Sequence, residues 1–376
     1  MTNSRDTQAP IVLAAGGTGG HVFPAQAVAA ELTARGRRLV LVTDNRGTNY
    51  GGALADLESH SLQAGTPLAR GPLARGLGII KLLLGIREAG RLLRRLEPAA
   101  VIGFGGYPSV PTMIAANRSD VATAIHEQNA VLGRANRLLA GRVTHIATSF
   151  EQTSNIAPAS RAKITVTGNP VRPAIAEIAA RAYDEPKTDG TLHLLITGGS
   201  QGARVFAELV PAALALLAPE IRARLSIAQH CRPEDLEQVR ENYQASSIQA
   251  EVAKFFDDLP ARLETAHLVI CRAGASTVAE LAAAGRPAIL VPYPHATDDH
   301  QSANGRALER AGGAVIMPEA EISAERLAEQ LTAFLNAPKS LTQAAMSAHE
   351  FGRPAAGAAL ADLVESLLPV ARRDAA

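Results

Sequence analysis

Four glycines, a hydroxyl and an imidazole stand together in Gly16-Gly17-Thr18-Gly19-Gly20-His21, directly ahead of a helical pattern. Glycine lets the backbone approach an anion closely and take up positive φ. A helix start offers unpaired N–H groups and the positive end of the helix dipole. The spacing favours an anion-binding loop over a plain strand-to-helix turn, which needs fewer glycines. His21 falls in the first helical turn, where the field disfavours imidazolium. A neutral imidazole is what a general base needs, and equally a helix-start histidine that only hydrogen-bonds. A second site reads off Cys271-Arg272-Ala273-Gly274-Ala275-Ser276-Thr277-Val278-Ala279-Glu280. There the amides of Ala275, Ser276 and Thr277 would meet a phosphate. Glu280, one turn on, can accept from ribose hydroxyls, unless the segment is only a capped helix with an acid in its first turn. Gly198–Ala203, with Ser200, repeats the glycine-turn pattern and by itself is a plain turn. His126-Glu127-Gln128-Asn129 closes an apolar run with four polar side chains, where a sugar could be read or a solvated loop begin.

These groups need rigid supports, and the chain supplies them as alternating apolar runs and helical patterns, the signature of βαβ units. Strands are expected at Ile11–Ala15, Leu39–Thr43, Ala100–Phe104, Ala122–His126 and His145–Ala147. A second series is expected at Leu192–Thr197, Leu225–Gln229, Leu268–Cys271, Ala288–Val291 and Ala314–Met317. Most are apolar throughout, as in parallel strands covered on both faces. Each series opens with a strand running into a glycine turn, so the expected fold is α/β with two Rossmann-like, doubly wound domains facing across a cleft. The expected domains are 1–170 and 171–350, with a C-terminal helix within 351–376 packing back on the first. The proline-rich stretch from Gly168 to Gly190 forms the boundary.

Composition removes several classes. Thirty-seven Lys+Arg against 36 Asp+Glu, and 3% aromatic residues with no Trp, argue against a nucleic-acid binder. The two cysteines have no zinc spacing, no D-x-D or His cluster suggests a metal, and no cofactor is expected. There is no Gly-Lys pair for a P-loop, and Val22 stands where a dinucleotide fingerprint has its third glycine, which argues against a NAD-dependent dehydrogenase. The charge-free window Ala99–Asn117 holds three glycines and two prolines and reads as strand and loop, so no transmembrane span is expected. Between Arg70 and Arg95 lie seven cations and one acid, Glu88. On a helical wheel the cations from Lys81 onward share an arc of about 140° with Ile80 and Leu84, Leu83 lying at its edge. Arg87, Arg91 and Arg94 fall within it, while Leu82, Ile86, Leu93 and Leu96 fall opposite and should face the core. Apolar residues among cations suit an anionic membrane surface. An ordinary solvated face with leucines under arginine stems is the other reading.

With these motifs in this order, joined by Gly103-Phe104-Gly105-Gly106-Tyr107, Gly168-Asn169-Pro170-Val171-Arg172 and Asp298-Asp299-His300-Gln301, the chain resembles the MurG family of UDP-N-acetylglucosamine transferases over nearly its whole length. The resemblance implies a GT-B glycosyltransferase, peripheral on the cytoplasmic face of the inner membrane. It implies inverting transfer of GlcNAc from UDP-GlcNAc to the C4 hydroxyl of lipid I, giving lipid II. Anionic inner-membrane lipids and other cell-wall synthesis proteins are the implied partners, and no nucleic acid. By resemblance, Ser200 would meet the donor phosphates or ribose and the Phe256 backbone the uracil edge. Ala275–Thr277 would hold the α-phosphate and Glu280 the ribose. Gln301 and Asn129 would meet GlcNAc hydroxyls, Arg172 would add a donor contact, and Thr18, Gly19 and Gly20 would face the acceptor diphosphate or the donor sugar. The base would be His21, with Glu127 second. The apolar patch lacks the Trp that some members of the family carry. The alternative is a UDP-sugar 2-epimerase of the same architecture, which needs no lipid acceptor.

Overall fold

A computed structural model of the chain describes residues 9–17, 19–44, 52–65, 71–187, 189–199 and 203–369. Two compact units appear, one formed by Met1–Val171 with Ala355–Ala376, the other by Arg172–Pro354. The first holds β1 (Ile11–Ala14), β2 (Leu39–Asp44), β3 (Glu58–Leu62), β4 (Ala100–Gly103), β5 (Ala122–Glu127), β6 (His145–Thr148) and β7 (Ile164–Val166). Their order in the sheet is β3-β2-β1-β4-β5-β6-β7. Every pairing is parallel. The second holds β8 (Leu192–Thr197), β9 (Leu225–His230), β10 (Gln249–Ala253), β11 (Leu268–Cys271), β12 (Ala288–Leu290) and β13 (Ala314–Ile316), in the order β10-β9-β8-β11-β12-β13, again all parallel. In each sheet the strand order reverses beside the first strand, between β1 and β4 and between β8 and β11. Crevices at such reversals, at the carboxyl ends of the strands, are where open α/β sheets bind ligands.

The ten expected strands all form, to within a residue at either end. Three that composition did not suggest also form: β3, β7 and β10. Each lies at a sheet edge, where one flank faces water. Ser59 and His60, Thr165, and Gln249 and Glu251 interrupt any apolar run there. Edge strands commonly carry polar and charged residues.

In the first unit one face of the sheet buries Leu13, Leu41 and Ile102 against Val28 and Leu32 of the helix Gly19–Ala34 and Leu360 and Val364 of the helix Ala356–Ser366. Arg35 reaches Asp362 at 2.6 Å and Glu365 at 2.8 Å, and Arg37 reaches Glu365 at 2.7 Å. The last helix is therefore part of the first unit's core. On the other face the helix Pro72–Leu96 presents its smallest side chains inward. Gly85 lies so close to the Gln63 carbonyl that an added Cβ would stand 1.9 Å from its oxygen, and Ala89 is buried beside it. Close approach of a helix to backbone needs small residues on the contact side; further along the helix Leu92 and Leu93 are buried too, while the large residues of its first half turn outward. Leu73, Leu77, Ile79, Ile80, Leu83 and Leu84 are all exposed, Leu83 by 59%. Lys81, Arg87, Arg91 and Arg94 are exposed with them, while Leu93 is buried and Leu82, Ile86 and Leu96 are partly so. No helix among the described residues is long and apolar enough to cross a membrane.

Candidate active site

Three loops at the carboxyl ends of adjacent strands β1, β4 and β5 meet around His21. Its Nδ1 lies 2.9 Å from the Phe104 carbonyl oxygen. A carbonyl only accepts, so Nδ1 carries the proton and donates it. In the neutral ring Nε2 is then left with its lone pair, the form a general base requires. Gln128 Nε2 donates to the same carbonyl at 2.8 Å. Gly105 and Gly106 close the pocket behind the ring, at φ +82° and +71°. A Cβ on Gly105 would stand 3.2 Å from Nδ1, and one on Gly106 3.2 Å from Cδ2. Only glycine suits both the backbone and the fit. In the sequence these glycines are a family marker without a role; nothing in their spacing shows that they flank the ring of His21, which lies 83 residues before its carbonyl partner Phe104. Gly19 and Gly20 open the helix that carries His21. Thr18 and Ser200 lie outside the described residues.

Glu127 takes a different part. Its carboxylate accepts from the Asn129 N–H at 3.0 Å and the Gly133 N–H at 2.8 Å. It also accepts from Asn136 Nδ2 at 2.9 Å and Asn129 Nδ2 at 3.3 Å. The residue is buried. A carboxylate holding four donors has no free lone pair for a substrate proton. The second candidate base is accordingly a loop anchor, and Asn129 is one of the groups it orients.

His126 beside it is fully buried, donates from Nε2 to the Gly168 carbonyl at 3.2 Å and meets Gln128 Nε2 through Nδ1 at 3.3 Å. Burial pulls its pKa from 6.5 down to about 4. In the second unit burial likewise lowers His267, stacked on His193, to about 4. Unfolding restores ordinary imidazoles, so between pH 6.5 and 4 the unfolded chain binds more protons than the folded one. Stability is then full above pH 6.5 and falls as pH drops toward 4, by up to about 3 kcal/mol for a buried histidine shifted this far. Thermal melts at pH 7.5, 6 and 5 should show a steadily falling midpoint; an unchanged midpoint across that range refutes the assignment.

In the second unit the helix Ala275–Ala283 starts at Gly274 with no side-chain cap, so the amides of Ala275, Ser276 and Thr277 remain for a ligand. Glu280 lies one turn on, paired with Arg172: Nε to Oε1 is 2.7 Å and the second guanidinium nitrogen to Oε2 is 2.8 Å. Gln301 accepts the Tyr293 N–H on its side-chain oxygen at 2.9 Å. Phe256 is buried, its ring centroid 4.0 Å from the Arg262 guanidinium carbon.

Residues 11–148 match the glycosyltransferase family 28 N-terminal domain and residues 193–364 the family 28 C-terminal domain. The chain is 55% identical, over 95% of its length and 91% of the relative's, to the UDP-N-acetylglucosamine--N-acetylmuramyl-(pentapeptide) pyrophosphoryl-undecaprenol N-acetylglucosamine transferase of Rhodospirillum rubrum. A solved MurG from Acinetobacter baumannii superposes with a TM-score of 0.78 at 30% identity, covering 95% of this chain and 99% of that one. The chain belongs to the MurG family. A UDP-GlcNAc 2-epimerase from Neisseria meningitidis also superposes, with a TM-score of 0.63 over 95% of this chain and 100% of that one. At 14% identity that likeness speaks for the fold alone. Membership in the MurG family ranks the transferase reading above the epimerase one.

Proposed function

We propose that the protein transfers GlcNAc from UDP-GlcNAc to the C4 hydroxyl of the N-acetylmuramoyl sugar of lipid I, forming lipid II with inversion at the anomeric carbon. The observation that carries this is the 55% identity over 95% of the chain to an enzyme named for that transfer. In the reaction the acceptor hydroxyl attacks the anomeric carbon, its proton passes to Nε2 of His21, and the bond to UDP breaks. The amides of Ala275–Thr277 take up the negative charge that grows on the departing diphosphate, a role that needs no proton. Asn129 and Gln301 hold sugar hydroxyls, and the Phe256 backbone meets the uracil. The test is turnover of labelled UDP-GlcNAc with and without a short-chain lipid I analogue. Transfer should require the acceptor, whereas isomerisation of UDP-GlcNAc alone would establish the epimerase instead.

We also propose that the helix Pro72–Leu96 docks the protein reversibly on anionic lipid. Its exposed leucines and isoleucines adjoin an open groove of about 1180 Å³ lined by Ile80, Leu83, Leu84, Arg87, Arg91, Arg94 and Arg118 among others. Each cation near an anionic leaflet contributes about 1 kcal/mol, screened by salt. R87E/R91E/R94E should therefore lower partitioning onto phosphatidylglycerol vesicles at low salt by roughly 100-fold, leaving UDP binding unchanged. A triple variant that sediments as the parent does assigns docking to another surface.

A further inference from the structure

We infer that Arg172 is a positioning residue, holding Glu280 so that its carboxylate reads both ribose hydroxyls and selects ribo- over 2′-deoxyribonucleotides. This rests on the reading of Glu280 as the ribose acceptor. Two parallel hydrogen bonds, at 2.7 and 2.8 Å, lock the carboxylate plane against the guanidinium fork. Glu280 is largely enclosed, its side chain 17% exposed, and Arg172 covers one side of it. A carboxylate has about four lone-pair positions, two on each oxygen. The fork takes one from each oxygen. What remains is one acceptor position per oxygen, held in a fixed plane, and that matches two vicinal hydroxyls. A nucleotide lacking the 2′ hydroxyl leaves one position unfilled inside a partly buried site, where an unmet acceptor is costly.

The fork does more than neutralise charge. A lysine supplies a point charge on a flexible stem and cannot fix the carboxylate plane. The pair also joins two parts of the second unit far apart in sequence, the segment opening that unit at Arg172 and the helix Ala275–Ala283 whose first turn is the candidate phosphate site. Arg172 thus acts on the nucleotide through Glu280.

The experiment is calorimetric binding of UDP and of 2′-deoxy-UDP to the parent protein, R172Q, R172K, E280Q and the R172Q/E280Q double variant, with thermal melts to check that each is folded. The parent should prefer UDP by about tenfold or more, the scale of one hydrogen bond to a charged group. R172Q and E280Q should each erase most of that preference, R172K should keep less than half of it, and the double variant should be no worse than E280Q. The inference is overturned if R172Q or R172K keeps the parent's preference. It is also overturned if R172Q weakens both nucleotides equally, which would put the guanidinium on the diphosphate. If E280Q keeps the parent's preference as well, it is the ribose reading of Glu280 that has failed.

Discussion

Replacing His21 by Gln or Ala should lower kcat for GlcNAc transfer by about 10²–10⁴-fold, the usual worth of a positioned general base. UDP affinity should stay within about twofold, because a base acts in the transition state and adds little to the ground state. The expectation rests on the proton that the Phe104 carbonyl fixes on Nδ1, which leaves Nε2 as the basic nitrogen. Gly105→Ala is the companion test. A methyl 3.2 Å from the ring, at a φ of +82°, must shift the imidazole or the loop. A displaced base costs about tenfold or more even when its chemistry is intact. If kcat for His21→Gln stays within about threefold of the parent, below the range of general-base help, another group takes the proton.

Glu127→Ala should act on stability first. It strips the acceptor from the backbone N–H groups of Asn129 and Gly133 and from the Asn136 and Asn129 amides. Buried donors left unmet cost about 1–3 kcal/mol each. With partial relaxation the total should be about 3–5 kcal/mol, a large share of a domain's usual 5–15 kcal/mol. Denaturant melts would show it as a lower midpoint, and Glu127→Gln, keeping one oxygen, should lose less. Activity should fall only as far as the folded fraction and the aim of Asn129 fall. A loss of kcat above about 100-fold with an unchanged melt, on the scale of a missing base, would return Glu127 to the reaction.

The two glutamates mark what a sequence can carry. Glu280 follows a turn of small residues at the spacing of a nucleotide site, and its position in the first turns of a helix was legible. That its carboxylate would already be forked by Arg172, 108 residues earlier, was not, because no periodicity links the two. Glu127 had the right residue type at the right strand end. Only the four donors around it reveal an anchor, and all four are loop backbone N–H groups or asparagine amides whose directions a sequence does not encode. The same limit applies to the strands. Buried parallel strands announce themselves as apolar runs; β3, β7 and β10 lie at edges, and their polar residues carry no such signal. The edge strand β13 was legible because Ala314, Val315 and Ile316 are all apolar.

The return of the helix Ala356–Ser366 to the first unit has a consequence for how the molecule is made. Leu360, Val364 and Leu367 belong to the same core as Leu13 and Leu32. During synthesis, residues 11–171 emerge with that face of their sheet covered only in part, by the helix Gly19–Ala34, and its cover is completed when the helix Ala356–Ser366 follows. The second unit, Arg172–Pro354, is continuous in the chain and has all of its own parts before then. The unit translated second is thus the first that can finish folding, and the growing chain carries a half-covered apolar face until residues 356–366 are made.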